Sequence, residues 1–198
     1  LAAVLPTADR SSGMIPSMNG NRRFDNRRRI CRAFSLLAVL LLCGCPYSSY
    51  EPLSDPSSAA IDPSLIGTWR TRDEESGKWQ SLIFLQFNEH EMVSHAQGDS
   101  PEEVSLCRLF LTVIGGELFL NVQELGGDSA EWYFARCALD GDRCILTFVD
   151  DGLFDSRAFG SAEERRQFIR ARLADPLLYG APGDEPMEMI LERVRTTD

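Results

Sequence analysis

Two histidines and a glutamate stand together in His90-Glu91-Met92-Val93-Ser94-His95, the residue types of a zinc hydrolase. That chemistry needs the imidazoles four residues apart on a helix, one turn above the other, with the Glu beside them as general base. Here they are five apart in a strand-like stretch, and odd spacing sends them to opposite faces. They read as surface histidines, and no metal site is assigned. Asp150-Asp151-Gly152-Leu153-Phe154-Asp155 gathers three carboxylates without the spacing or the closing Glu of a calcium loop, so it reads as a solvated loop. Glu74-Glu75 and Glu102-Glu103 are turn or loop acids. A nucleophile elbow, a phosphate loop and a dinucleotide fingerprint are all missing from the sequence. No catalytic residue and no cofactor is assigned.

Cysteine chemistry is the next candidate. Cys107, Cys137 and Cys144 lie in the C-terminal two thirds of the chain. In a two-residue hairpin centred on Asp140-Gly141, Cys137 falls directly opposite Cys144, which makes a disulfide feasible. A three-residue turn with a bulge would break that register. Such a bridge closes a short loop and constrains little. Cys107 is then left over and reads as a small buried apolar residue. Trp69, Trp79, Trp132, Tyr133 and Phe134 offer aromatic surface for a pocket, although aromatics at strand spacing serve equally as core.

The elements that must position these residues are mostly strands. Gly67–Arg72 is a short strand; Trp79–Asn88 alternates Leu82, Phe84 and Gln86 against Ile83, Leu85 and Phe87; Met92–Ala96 pairs back onto it. Val104–Ile114 and Glu117–Leu125 flank Gly115-Gly116, and Ala130–Leu139 and Arg143–Val149 flank Asp140-Gly141-Asp142, both hairpin signals. Met187–Val194 closes the series. One helix interrupts it: Ser161-Ala162-Glu163-Glu164 is a capping box, Phe168, Ile169 and Leu173 share a face, and Asp175-Pro176 ends it. The pattern predicts a mainly β fold of about eight strands. These form an antiparallel up-and-down meander or barrel, with one amphipathic helix before the last strand, capping one end or packing outside.

The 198 residues divide at Cys45. Seven of the 20 Lys+Arg and two of the 30 Asp+Glu precede it, leaving a net charge of −15 behind it. So acidic a domain repels polyphosphate and excludes nucleic acid as a partner, and anionic headgroups repel it too. Residues 1–20 lack apolar periodicity and are expected to be disordered or an over-extended reading frame, with Met14 and Met18 as alternative starts. Residues 21–44 read as a signal peptide. Arg22, Arg23, Arg27, Arg28, Arg29 and Arg32 form a basic region, followed by the apolar run 33–42. That run reaches roughly 15 Å as a helix, about half a hydrocarbon core.

Leu42-Cys43-Gly44-Cys45 resembles the bacterial lipobox, with Leu at −3, a small residue at −1 and then the cysteine to be modified. Cys43 at −2 departs from the more usual Ala or Ser. The resemblance implies cleavage between Gly44 and Cys45 and lipidation of Cys45, hence a bacterial lipoprotein in the cell envelope, held to a membrane by its acyl chains. Arg22-Arg23-Phe24 offers a twin-Arg export route, which Asp25-Asn26 argues against. Residues 45–64, Pro- and Ser-rich after Cys45, are expected to form a flexible tether, and 65–198 the domain.

Leu65-Ile66-Gly67-Thr68-Trp69 resembles the Gly-x-Trp opening of the lipocalin-like, or calycin, group, in which the Trp plugs one barrel end. A helix before the last strand departs from a typical lipocalin. The layout, including Leu118–Leu125 and Leu139-Asp140-Gly141-Asp142, is also similar to bacterial envelope proteins, a likeness that implies a fold and no activity. The expected function is a non-enzymatic binding or interaction module taking a small apolar ligand or an envelope protein. The alternatives are an envelope hydrolase built on scattered carboxylates and a purely structural envelope lipoprotein. The barrel reading predicts an apolar interior; the hydrolase reading predicts converging carboxylates with raised pKa.

Overall fold

A computed structural model describes residues 46–72, 77–97, 104–126, 129–154, 157–181 and 183–195. The signal peptide, Gly44, Cys45, Glu74-Glu75, Glu102-Glu103 and Asp155 lie outside the described residues.

The chain forms β1 (Ser48–Ser49), β2 (Gly67–Arg72), β3 (Trp79–Gln86), β4 (Met92–Gln97), β5 (Val104–Ile114), β6 (Glu117–Leu125), β7 (Trp132–Asp140), β8 (Arg143–Phe148), α1 (Ala162–Arg170) and β9 (Glu188–Arg193). Every pairing is antiparallel. β2 to β8 follow one another around a barrel, and β9 closes it between β8 and β2. Closure removes the free edges of the eight barrel strands, which an open meander would leave exposed. All eight barrel strands and α1, the one α-helix among the described residues, agree with the sequence pattern.

Two hairpins show how local chemistry sets the register. Ile114 pairs with Glu117, leaving Gly115 and Gly116 as the loop, both at positive φ (+62° and +94°). Only glycine takes those two positions without strain. Between β7 and β8, Asp140 pairs with Arg143, so the loop is Gly141-Asp142 and not Asp140-Gly141. Gly141 carries the positive φ of +57°, and Asp142 does not share it. A turn with glycine at its first central position needs no Asp in the left-handed region, which the other register would require. The expected direct facing of Cys137 and Cys144 is therefore corrected: Cys137 faces Leu146 and Cys144 faces Leu139.

The expected flexible tether is also corrected. Residues 46–63 form a strap packed on the barrel wall. β1 pairs with the start of β7, where β8 has ended, and Pro46 bridges to Asp150. Leu53 is buried; its N–H donates to Asn121 Oδ1 at 2.8 Å. Ser54 and Thr112 share a 2.6 Å hydroxyl hydrogen bond, and Ala59 O meets His90 Nδ1 at 2.8 Å. Short Asp-capped turns at Asp55 and Asp62 fold the strap back, each carboxylate accepting from the N–H two residues on.

Two hydrophobic cores result. One fills the barrel around Trp69. The other lies outside β5, β6 and β7, where Phe110, Ile114, Phe119, Trp132 and Phe134 meet the strap, α1, Phe154, Leu178 and Tyr179. Strands apolar on both faces need cover on both. The helix supplies part of it, packing outside the barrel instead of capping an end. Ser161 accepts from Glu164 N–H at the helix start.

Candidate functional site

The barrel interior is graded from one end to the other. At the end where β2 begins and β9 finishes, Trp69 is 0% exposed. Its indole N–H donates to Leu65 O at 2.8 Å, and the Arg193 guanidinium lies over its ring at 4.3 Å. Arg193 also donates to Ile66 O at 3.0 Å and to Ser64 O, tying the chain before β2 across this end. A Cβ on Gly67 would approach Arg193 Nη1 to 2.9 Å, and Gly67 sits at φ +134°, so glycine is required beneath the guanidinium. Cation, ring and carbonyls together plug this end.

Leu82, Phe84, Met92, Leu109, Leu111, Leu120, Leu146 and Leu191 form one buried core with Trp69. An eight-stranded barrel is just wide enough for side chains to fill it, and here they fill this part of the lumen. Toward the other end the inward positions turn polar. Thr71 faces Gln80, Ser94 faces Cys107, Cys107 faces Glu124, and Val122 faces Tyr133. The Ser105 hydroxyl lies 3.8 Å from Cys107 Sγ. Burial pushes the Cys107 thiol up, so at neutral pH it stays a thiol and is a poor nucleophile. Burial, with Glu131 and Glu124 nearby, also pushes the Tyr133 phenol up. Phe148, Met187 and Met189 supply apolar surface in the same lumen.

The five aromatics proposed to line a pocket do not share one face, which corrects that grouping. Trp69 and Tyr133 face the lumen, and the other three do not. Trp79 is 50% exposed on the outer wall, with Arg70 over its ring at 4.3 Å. Trp132 and Phe134 point outward into the second core, where Trp132 sets its ring edge-on to Phe110 at 5.3 Å. Residues i and i+2 on one strand share a face, so Trp132 and Phe134 had to move together. The lumen polar row escaped sequence reading. Its signal was Thr71 on β2, Ser94 on β4 and Ser105 and Cys107 on β5, all in the inward phase of their strands, legible only once the inward face is known.

The remaining candidates have structural work. Glu91 is largely buried, and its Oε1 accepts from Arg108 Nε at 2.5 Å. His90 braces the strap, and His95 stands on the outer wall opposite Ile83 and Leu106. Among the described residues no group of three or more His, Cys, Asp or Glu is placed to hold a metal ion. Asp150 is 7% exposed, so the loop reading needs correcting for this residue. It caps its own turn, accepting from Gly152 N–H at 2.8 Å. Asp55 and Glu163, both on the surface, are held below the ordinary carboxylate range. Asp55 accepts from the Ser57 backbone and hydroxyl, Glu163 from Arg166 and Gln167. These shifts run opposite to those of a general acid. No helix among the described residues is long and apolar enough to cross a membrane.

No protein-family model, curated protein or solved structure matches the chain.

Proposed function

We propose that this chain is an envelope lipoprotein, anchored through Cys45, whose barrel is a binding or interaction module and not an enzyme. The graded lumen carries the binding half of this reading. A lumen plugged by Trp69 and Arg193 at one end, with Ser105, Cys107, Glu124 and Tyr133 facing inward at the other, suits a small amphipathic guest. Its apolar part would lie against Phe148, Met187 and Met189, and its polar part among the hydroxyls. The hydrolase reading loses support because Glu91 and Asp150 are both committed to internal partners.

The anchoring half rests on the basic segment, the apolar run and Leu42-Cys43-Gly44-Cys45. The strap adds a consequence. Pro46, next to Cys45, is bridged to the barrel flank, so a lipid on Cys45 would hold the body against the bilayer with no spacer. With a net charge of −15, the acyl chains would supply the attachment. An interaction role draws on a separate observation. Ile83, His95, Leu106 and Leu125 line up across the outside of β3 to β6, with Leu106 and Leu125 well exposed.

Mass spectrometry of the mature amino terminus tests the anchor. The wild-type chain should begin at a diacylglyceryl-modified Cys45 and sediment with membranes, and Cys45→Ala should do neither. A mature wild-type terminus elsewhere refutes it. For the lumen, the neutral fluorophore N-phenyl-1-naphthylamine should bind saturably to the wild type and weakly to Met189→Trp. Binding that never saturates, or that ignores this block, removes the lumen reading.

A further inference from the structure

Cys137 on β7 and Cys144 on β8 lie inside the barrel, 4% and 0% exposed, with their sulfurs 3.6 Å apart. They are diagonal neighbours across the hairpin, since Cys137 faces Leu146 and Cys144 faces Leu139. On a flat antiparallel pair such a diagonal separates Cα atoms by about 7–8 Å, beyond the span of a disulfide. Here the two side chains lean toward each other across the diagonal and bring the sulfurs into contact, and the right-handed twist of the hairpin brings one of its two diagonals closer than in a flat sheet. A bond of about 2.05 Å then needs a further approach of roughly 1.5 Å, within reach of side-chain rotation and slight tightening of the hairpin.

We propose that Cys137 and Cys144 form a dithiol–disulfide pair that closes across the β7–β8 hairpin by exchange with a low-molecular-weight disulfide, leaving Cys107 free. In the first step the Cys137 thiolate attacks one sulfur of the small disulfide; that S–S bond breaks and one small thiol leaves. In the second, Cys144 gives up its proton and attacks the Cys137 sulfur of the mixed disulfide. The internal S–S bond forms and the second small thiol leaves. Two protein thiols are oxidised and one small disulfide is reduced to two thiols.

The environment sets the order of attack. Cys137 is pulled down by the hydrogen bond from Cys144, which stabilises its thiolate, and the same bond pushes Cys144 up. Cys107 has hydroxyl neighbours, Ser105 and Ser94, and no sulfur partner among the described residues. The bond would close a loop of a few residues and so contribute little loop entropy. It would act locally, on the hairpin wall that packs against Leu191 and Trp69. Exchange on so buried a pair is expected once the β7–β8 hairpin has formed and before the barrel closes over it, when the Cys137–Cys144 contact is already present to order the attack.

Trypsin cleaves after Arg136 and Arg143 and so places the two cysteines on peptides 137–143 and 144–157. The full chain is refolded in reduced and oxidised glutathione, alkylated and digested without reduction. The expected product is the two peptides joined, about 2 Da below their summed mass and separable by dithiothreitol, with the Cys107 peptide alkylated. Recovery of both peptides separately alkylated overturns the proposal, as does either one joined to another cysteine. Cys107→Ser should give the same linked product, and its loss there would also count against the pair. The linked chain must keep the near-ultraviolet dichroism of buried Trp69; a linked chain without it bonded outside the barrel and refutes the geometry. These arms do not depend on export. If chains isolated from cells are reduced while refolded chains link, the envelope location fails and the pair stands.

Discussion

The two cores of this protein are built on opposite faces of the same three strands, yet by different means. The lumen is filled by alternate residues of consecutive strands, Leu109 and Leu111 of β5 beside Leu120 of β6 and Ala135 of β7. The outer core uses the intervening residues, Phe110, Phe119 and Phe134, and covers them with segments from both ends of the chain. Hairpin neighbours from β2 to β8 build most of the first at low cost in loop closure, and β9 alone closes it over a long separation. The second brings the strap, residues 149–154, α1 and residues 176–179 together over long sequence separations, which demands more entropy for each contact. Polar anchors compensate there. Asn121, 0% exposed, accepts from Leu53 N–H and donates to Phe110 O and Thr112 Oγ1. Arg165, also buried, donates to Tyr47 Oη, Glu51 O and Pro52 O. Alternation suffices to define the barrel, whereas its cover depends on a few buried hydrogen bonds.

Breaking the lumen should cost most. Trp69→Ala removes the plug, the indole hydrogen bond and the surface under Arg193, for a loss of about 3–5 kcal/mol in denaturant unfolding. Because β5 to β7 serve both cores, strap and barrel should unfold together in this variant by hydrogen exchange. A strap that keeps its protection after the barrel has opened would show the cover to be an independent unit.

Asn121→Ala is next. It leaves the Leu53 N–H buried without an acceptor and should cost about 2–3 kcal/mol. Arg165→Met keeps most of the side-chain bulk, loses the three bonds to the strap and should cost roughly 1–3 kcal/mol. Both variants should raise exchange and proteolysis in residues 46–60 before they affect β2, β3 or β9. Equal loss of protection in those strands would erase the distinction between a self-sufficient barrel and a dependent cover.

That distinction also explains what the sequence revealed. The eight barrel strands and α1 were legible because alternation, Gly115-Gly116 and the Ser161–Glu164 cap are local signals. Trp69 was legible as an end plug through its Gly-x-Trp setting. The strap was not, since Pro- and Ser-rich residues look like a tether until Asn121 and Arg165 are known to face them. The hairpin register failed by one residue because Asp140-Gly141 and Gly141-Asp142 are both acceptable loops, and the choice rests on which residue takes positive φ. The doubly apolar run Leu109-Phe110-Leu111 was the available sign of a second core, but a run of three does not say what covers it.

Alkaline titration gives a smaller and slower separation of the two cores. Cys107 and Tyr133 in the lumen, and Tyr179 in the outer core, are all pushed above their ordinary values of 9.0 for the thiol and 10.0 for the phenols, chiefly by burial. The unfolded chain therefore releases these protons at lower pH than the folded one. Stability is undiminished below about pH 9 and falls as pH rises through the raised folded values. Tyr133→Phe should flatten part of that decline while leaving the outer core unchanged at neutral pH. Tyr179→Phe should do so with the smallest neutral-pH effect of all. The Tyr179 hydroxyl is buried without a hydrogen-bond acceptor, and Arg136 lies over its ring at 4.6 Å. Removing an oxygen that folding strands from water costs nothing in lost partners, so the change should fall within about 1 kcal/mol and lean toward stabilisation. A loss above that range in thermal unfolding at pH 7 would mean that the hydroxyl bonds to Arg136 after all. The cover would then have a further polar anchor beside those at Asn121 and Arg165.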